Sequence, residues 1–302
     1  MADELFGRRV VVEVLGVGGA LALSLDSGTY PDQQFHLSFT AEKSLTSSVN
    51  EAHLTAWNLS RETVARLREA RPTIRLRAGY GDPDLIFTGQ LTSARRVRNG
   101  ADVVAEIDLG DGYDAVQTAT LSQTWPGGTP AAKMLLDAAF SFGLPLGESD
   151  VGTIIAEAGD VGASPTLVDE FVHEGSTREL LDLLARTYRF EWSVQDGALV
   201  MLPLSRPLAG EVVRLSPSSG LVDQPSPMTL AAAESGRVES IEGVQFAALM
   251  TGRIRPGALV SIEAEDVDGI FRVERCSYSA DSHSGPFLVE GEGRRIAGLR
   301  VV

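Results

Sequence analysis

Along the first 118 residues, apolar positions recur with the period of a pleated strand. Phe35, Leu37 and Phe39 alternate with His36, Ser38 and Thr40, which predicts a strand with one face in a core and the other toward solvent. Residues 9–15 are apolar and β-branched, and Leu54 and Ala56 mark a further strand. After Ser60 the period becomes helical over 61–70, with Val64 and Leu67 on one face and Pro72 ending the run. Residues 74–80 and 85–94 flank Gly81-Asp82-Pro83-Asp84, a turn sequence, and Asn99-Gly100 returns the chain into 103–109 as a hairpin. One short helix among many strands predicts a small barrel or sandwich.

The pattern changes over 119–205. Thr129 reads as the cap of a helix with Pro130 at its first position, with Met134, Leu135, Ala138, Ala139 and Phe142 as the apolar face and Gly143 and Pro145 as the stop. Ser176 and Glu179 have capping-box spacing, and the helix that follows is expected to bury Leu180, Leu181, Leu183, Leu184 and Tyr188. Residues 190–194 and 199–202 flank Asp196-Gly197, a type I′ hairpin signal. This reads as a small α+β module. From 206 to 302 the chain returns to strands at 244–250, 259–264, 270–279 and 287–290, with turns at Pro256-Gly257 and Asp268-Gly269. The expected organisation is mainly β: 1–118, an α+β insert at 119–205, and 206–302, the last borrowing a strand from 167–174.

Composition narrows the function classes. Hydrophobic residues at 43% and charged residues at 22% are ordinary for globular domains. The N-terminal MADELFGRR lacks the apolar stretch of a secretory signal, and a lone Cys276 permits no intrachain disulfide, so a cytosolic folding environment is expected. A net charge of −15 opposes gripping a phosphate backbone. Lys43 and Lys133 are the only lysines, so arginine carries nearly all the basic charge.

No pattern in the sequence assembles a reactive centre. His36, His53, His173 and His283 are not at metal-ligand spacing from one another, and neither a nucleophile elbow nor a phosphate-binding P-loop is present. Gly16-Val17-Gly18-Gly19 precedes a strand and reads as a hairpin turn. Glu263, Glu265, Asp266 and Asp268 read as a solvated hairpin tip, and Asn58-Leu59-Ser60 as an idle glycosylation sequon. Arg66, Arg68, Arg71, Arg75, Arg77, Arg95, Arg96 and Arg98 crowd the first region, as either a solvated face or a patch for an acidic neighbour. No catalytic, cofactor or metal residue is assigned, and no enzyme activity is expected.

Three stretches carry a resemblance. The first is Leu54-Thr55-Ala56-Trp57-Asn58-Leu59-Ser60, then 74–81, then Leu85-Ile86-Phe87-Thr88-Gly89-Gln90. The second runs from Gly175 to Leu184 and on through Trp192 to Val200. The third comprises 219–225, Ile254-Arg255-Pro256-Gly257, 269–273 and 279–285. In that order they resemble bacteriophage baseplate hub proteins of the late control protein D type. Arg255 and Ala280 depart from the asparagine and glycine usual there.

The resemblance implies two tube-like β-barrel domains flanking the insert. It implies a trimeric ring in the virion tail, assembled in the host cytoplasm, that adapts a six-fold tail tube or distal tail protein above to a three-fold spike below and lets DNA pass. Puncturing or hydrolysis would then belong to another chain. A distal tail ring protein, a tail-associated peptidoglycan hydrolase and a carbohydrate-binding sandwich are the alternatives.

Overall fold

The computed structural model describes residues 7–28, 34–100, 102–160, 162–204, 206–234 and 237–296. The chain forms two compact units, one from Met1–Ser44, Asn50–Gly110 and Ala209–Val302, the other from Leu45–Val49 and Asp111–Leu208.

The first unit opens with β1 (Arg8–Leu15) and β2 (Leu21–Asp26), joined by a 3-10 turn at Val17–Gly19 in which Gly18 has φ 74°. β3 (Leu37–Ser44) and β4 (Glu51–Trp57) follow. In β3, Leu37, Phe39 and Ala41 are buried while Thr40 and Glu42 are exposed, the expected alternation. Asn58 then takes a left-handed φ of 61° and Leu59 is buried. The Ser60 hydroxyl caps α1 (Arg61–Ala70) by accepting from the Thr63 N–H. Val64 and Leu67 are the buried face of α1, and burying each contributes about 1.5–3 kcal/mol. β5 (Thr73–Tyr80), β6 (Asp84–Asn99) and β7 (Asp102–Gly110) form an antiparallel meander. Its Phe87-Thr88-Gly89 step has a steric cause: a Cβ on Gly89 would lie 2.6 Å from the Phe87 ring.

The second unit holds α2 (Tyr113–Thr118), β8 (Thr120–Trp125), α3 (Ala131–Ser141), α4 (Val151–Asp160), β9 (Phe171–Ser176), α5 (Thr177–Tyr188), β10 (Phe190–Gln195) and β11 (Ala198–Pro203). Pro130 is the N-cap of α3 rather than its first helical residue, and the Thr129 hydroxyl donates to Pro126 O instead of capping. Ser176 caps α5 by accepting from the Glu179 N–H. Leu180, Leu181, Leu184 and Tyr188 are buried, but Leu183 is 41% exposed. At about 100° per residue, Leu183 sits some 120° from the centre of that stripe. Asp196 and Gly197 both have positive φ, as a type I′ turn requires. The 171–174 part of the stretch expected to lend a strand elsewhere lies in β9, which pairs with β8.

β12 (Val213–Leu215), β13 (Ser226–Glu234), β14 (Arg237–Leu249), β15 (Leu259–Glu263), β16 (Asp268–Asp281) and β17 (Phe287–Arg295) complete the first unit. Its strands, from both β regions, form one 13-stranded sheet ordered β13-β14-β17-β16-β3-β4-β7-β6-β5-β1-β2, with β15 on β16 and β12 on β15. Among the described residues this path closes no barrel.

The two strand sets repeat one design. Spatial order β3-β4-β7-β6-β5-β1 corresponds to β13-β14-β17-β16-β15-β12, strand for strand in chain order. Both long strands bulge at the same rung: β6 between Leu91 and Ser93, opposite Leu109 and Asp108, and β16 between Val273 and Arg275, opposite Gly293 and Glu292. One pairing differs, since β1–β5 is antiparallel and β12–β15 parallel. Where the first set has α1, the second has a helix-free stretch, in which Ile254 is fully buried.

Candidate assembly surfaces

The strand sets meet where β3 pairs antiparallel with the second half of β16, from Arg275 opposite Ser44 to Asp281 opposite Ser38. Beyond the last rung, the Leu37 N–H donates to Ser282 Oγ at 3.1 Å and the Ser282 N–H donates to Leu37 O at 3.0 Å. The His36 ring stacks on Trp57 at 3.6 Å and lies 4.3 Å from His283. His36 Nε2 is 3.2 Å from an Asp281 carboxylate oxygen. Burial pushes the Asp281 carboxyl up, but the N–H groups of His283 and Ser284 and the His36 ring outweigh it, and the net shift is downward. Burial and then the neighbouring His36 lower the His283 pKa, against the pull of Asp281. Arg8 Nη1 donates to Gly285 O at 2.7 Å and its guanidinium covers the Phe287 ring.

Farther along β16, the fully buried Arg272 guanidinium donates to both Glu274 carboxylate oxygens at 2.8 and 2.9 Å, and Arg294 Nε approaches one of them at 3.3 Å. This planar two-bond geometry is what arginine supplies and lysine does not.

Arg75 sits on β5 between Glu13 and Thr88, and the other crowded arginines separate into two groups. Arg66 pairs with Glu62, Arg77 with Glu13 and Arg95 with Glu106, while Arg71 Nε donates to Leu91 O. Arg68, Arg96 and Arg98 instead line an open groove with Arg61, floored by Val64, Ala65, Val97 and Val103. Arg61, Ala65 and Arg68 reach it from one face of α1, at i, i+4 and i+7. Arg96 Nε is buried without a hydrogen-bond partner. The Nε atoms of Arg77, Arg294 and Arg295 each have a carboxylate within 3.3 Å. Among the described residues, Arg96 has none.

The remaining candidates have local roles. His53 Nδ1 is 2.7 Å from Asp108 across the β4–β7 rung, and His173 contacts Ser176 O. Glu263, Glu265, Asp266 and Asp268 surround the β15–β16 turn, where Asp266 accepts from Gln224 and Asp268 O from Arg295. Lys43 is buried and donates to Ile86 O, and Lys133 pairs with Asp137. Among the described residues, no group of His, Cys, Asp and Glu has the geometry to hold a metal ion, and no helix is long and apolar enough to cross a membrane. Sequence reading missed Arg61, whose helical spacing to Arg68 was the available signal. It also missed the His36–Asp281–His283 grouping, which only the β3–β16 pairing creates.

No family model matches the chain, and no curated protein matches it. Solved structures do. The fold is similar to the prophage MuSo2 43 kDa tail protein from Shewanella oneidensis, with TM-score 0.61 and 13% identity over 95% of this chain and 97% of that one. It is similar to the tail protein from Neisseria meningitidis MC58, with TM-score 0.59 and 12% identity over 96% and 97%. It is also similar to the E. coli c3393 protein, a component of the type VI secretion system, with TM-score 0.54 and 8% identity over 89% and 76%. The chain therefore has a fold found in phage tail proteins and in a type VI secretion component.

Proposed function

We propose that the chain is a structural subunit of a phage or phage-like tail, located in the virion baseplate. There it is a hub whose trimeric ring adapts a six-fold tail tube to a three-fold spike and lets DNA pass. The observation that carries this reading is the repeated strand order within one chain. A six-fold tube end offers six equivalent surfaces, and three subunits meet them evenly only when each presents two similar faces. Regions 1–118 and 206–302 supply those faces, each acting as a tube-like barrel in the ring. The likeness to tail proteins over nearly the whole chain supports the setting. The net charge of −15 suits a channel wall to which DNA does not adhere.

The role is architectural rather than catalytic. Its partners are two further copies, the tube or distal tail protein above and the spike below. A distal tail ring with one barrel per subunit is the weaker reading, because it gives the second strand set and the α/β unit no role. Imaging the tail end of the assembled particle tests the proposal. Three copies per ring are expected, and six or twelve would overturn it.

A further inference from the structure

In the second strand set, the half of β16 beyond its bulge has β17 on one edge and β3 on the other. Its counterpart is residues 93–99 of β6. There β7 occupies one edge, and among the described residues no strand occupies the other. That free edge borders the four-arginine groove. The strand equivalent to β3 is β13, which among the described residues pairs only with β14 and is itself a sheet edge. We infer that the free edge of β6 receives β13 of a second copy of the chain, in the register that β3 holds on β16. The inference rests on the ring proposed above and specifies its interface: the junction made once inside each chain is made again between chains.

The register follows rung by rung. Ser93 faces Asp108, Asp108 faces His53, and His53 faces Thr40. In the other set Arg275 faces Glu292, Glu292 faces Gln245, and Gln245 faces Ser226. Ser226 is thus the counterpart of Thr40. Inside the chain Thr40 faces Ser279, four residues past Arg275. The matching partner of Ser226 is Val97, four residues past Ser93. Arg95 then faces Met228, and Arg96 faces Pro227.

Chemistry at the groove agrees with this occupant. The counterpart of Arg96 is Tyr278, which faces Ala41 of β3 across its rung, is 1% exposed and donates its hydroxyl to Ile254 O. Arg96 holds the same rung position, and among the described residues no strand lies on its free edge. Leu37 turns both backbone groups toward the β16 side, so Ala41 and its counterpart Pro227 do likewise at their own edges. Pro227 offers that edge a carbonyl and no N–H. A free β13 is therefore blunted against indiscriminate pairing, while the Arg96 N–H gains an acceptor. The exposed Asp223 lies three residues before β13, on the chain leading into the strand end that this register sets beside Arg98, and its charge suits arginine neighbours there.

Disulfide capture tests the pairing in the full-length chain, both purified at high concentration and assembled into tails. Val97 and Ser226 are surface positions on a non-hydrogen-bonded rung, where facing side chains come close enough to link. Val97→Cys with Ser226→Cys is expected to form interchain disulfides on oxidation and a three-chain species in tails. Val97→Cys with Thr229→Cys, out of register, is expected to form little. Arg95→Cys with Met228→Cys gives a second in-register pair if the first variant folds poorly. No interchain product from either in-register pair, equal product in and out of register, or a link within one chain would overturn the inference. Three copies seen by imaging without the link leaves the ring standing and removes this interface. A link in a particle with six copies leaves the interface and removes the three-fold reading.

Discussion

Asp111 is fully buried and holds the Asp196-Gly197 turn from 85 residues away: one carboxylate oxygen accepts from the Asp196 N–H at 2.6 Å and the other from the Gly197 N–H at 2.8 Å. Asp111→Ala strips both donors of their acceptor. A hydrogen bond to a charged group contributes about 1.5–3 kcal/mol, and the turn is partly open to water that can replace some of it, so the expected loss is about 2–4 kcal/mol. Asp111→Asn keeps one acceptor oxygen and sets an NH2 group against the other N–H, so it should recover at most half of that loss. Two measurements read the effect. The denaturation midpoint should fall in the order wild type, Asn, Ala. Amide exchange at Asp196 and Gly197 should accelerate beyond the change at β13, which belongs to the other unit. An Ala variant that unfolds with the wild type and protects both amides equally would refute the argument.

Two further outcomes follow. Leu184→Asp places an unpaired carboxylate in the core of the α/β unit, where Leu184 is 3% exposed, and should cost about 3–5 kcal/mol in a denaturant titration; an unchanged midpoint would mean the buried face of α5 is wrong. For pH, the folded His283 pKa lies below 6.5, so the unfolded chain binds more protons in that window and stability falls as pH drops from about 6.5 through the folded value. Asp281 lies below 3.8, so its contribution is lost only as pH falls beneath that. Melting curves from pH 7.5 to 3 should show both steps, and His283→Asn should remove the first; a wild-type profile flat between pH 7 and 5 would contradict it.

Much of the fold was legible where a local rule applied. Ser60 and Ser176 announce α1 and α5 because a hydroxyl must satisfy an otherwise orphan N–H. Asp196-Gly197 announces its hairpin because both residues tolerate positive φ. α4 was overlooked although Asp150 accepts from the Thr153 N–H and Ile154 and Ala158 are buried, because the segment is short and glycine-flanked. β12 and β13 were overlooked because prolines dominate that stretch and an edge strand carries only a weak apolar period. The strand-set junction could not be read at all. Nothing near His36 indicates Asp281, and nothing near Arg96 indicates that Tyr278 is its counterpart, since the repeat survives in rungs and bulges rather than in residue identities.

The β3–β16 pairing also sets a timetable for synthesis. Leu37 and Ser282 bond across 245 residues of chain, so at about 5–20 residues per second β3 waits roughly 12–50 s for its partner to be made. Long-range pairing of this kind folds slowly, whereas Asp111–Leu208 is one continuous stretch whose contacts can form soon after it emerges. During the wait an apolar strand edge is open to the wrong neighbour. The nascent chain is thus most vulnerable to aggregation just before its last strands appear, and a truncation that removes β16 would leave that edge open for good.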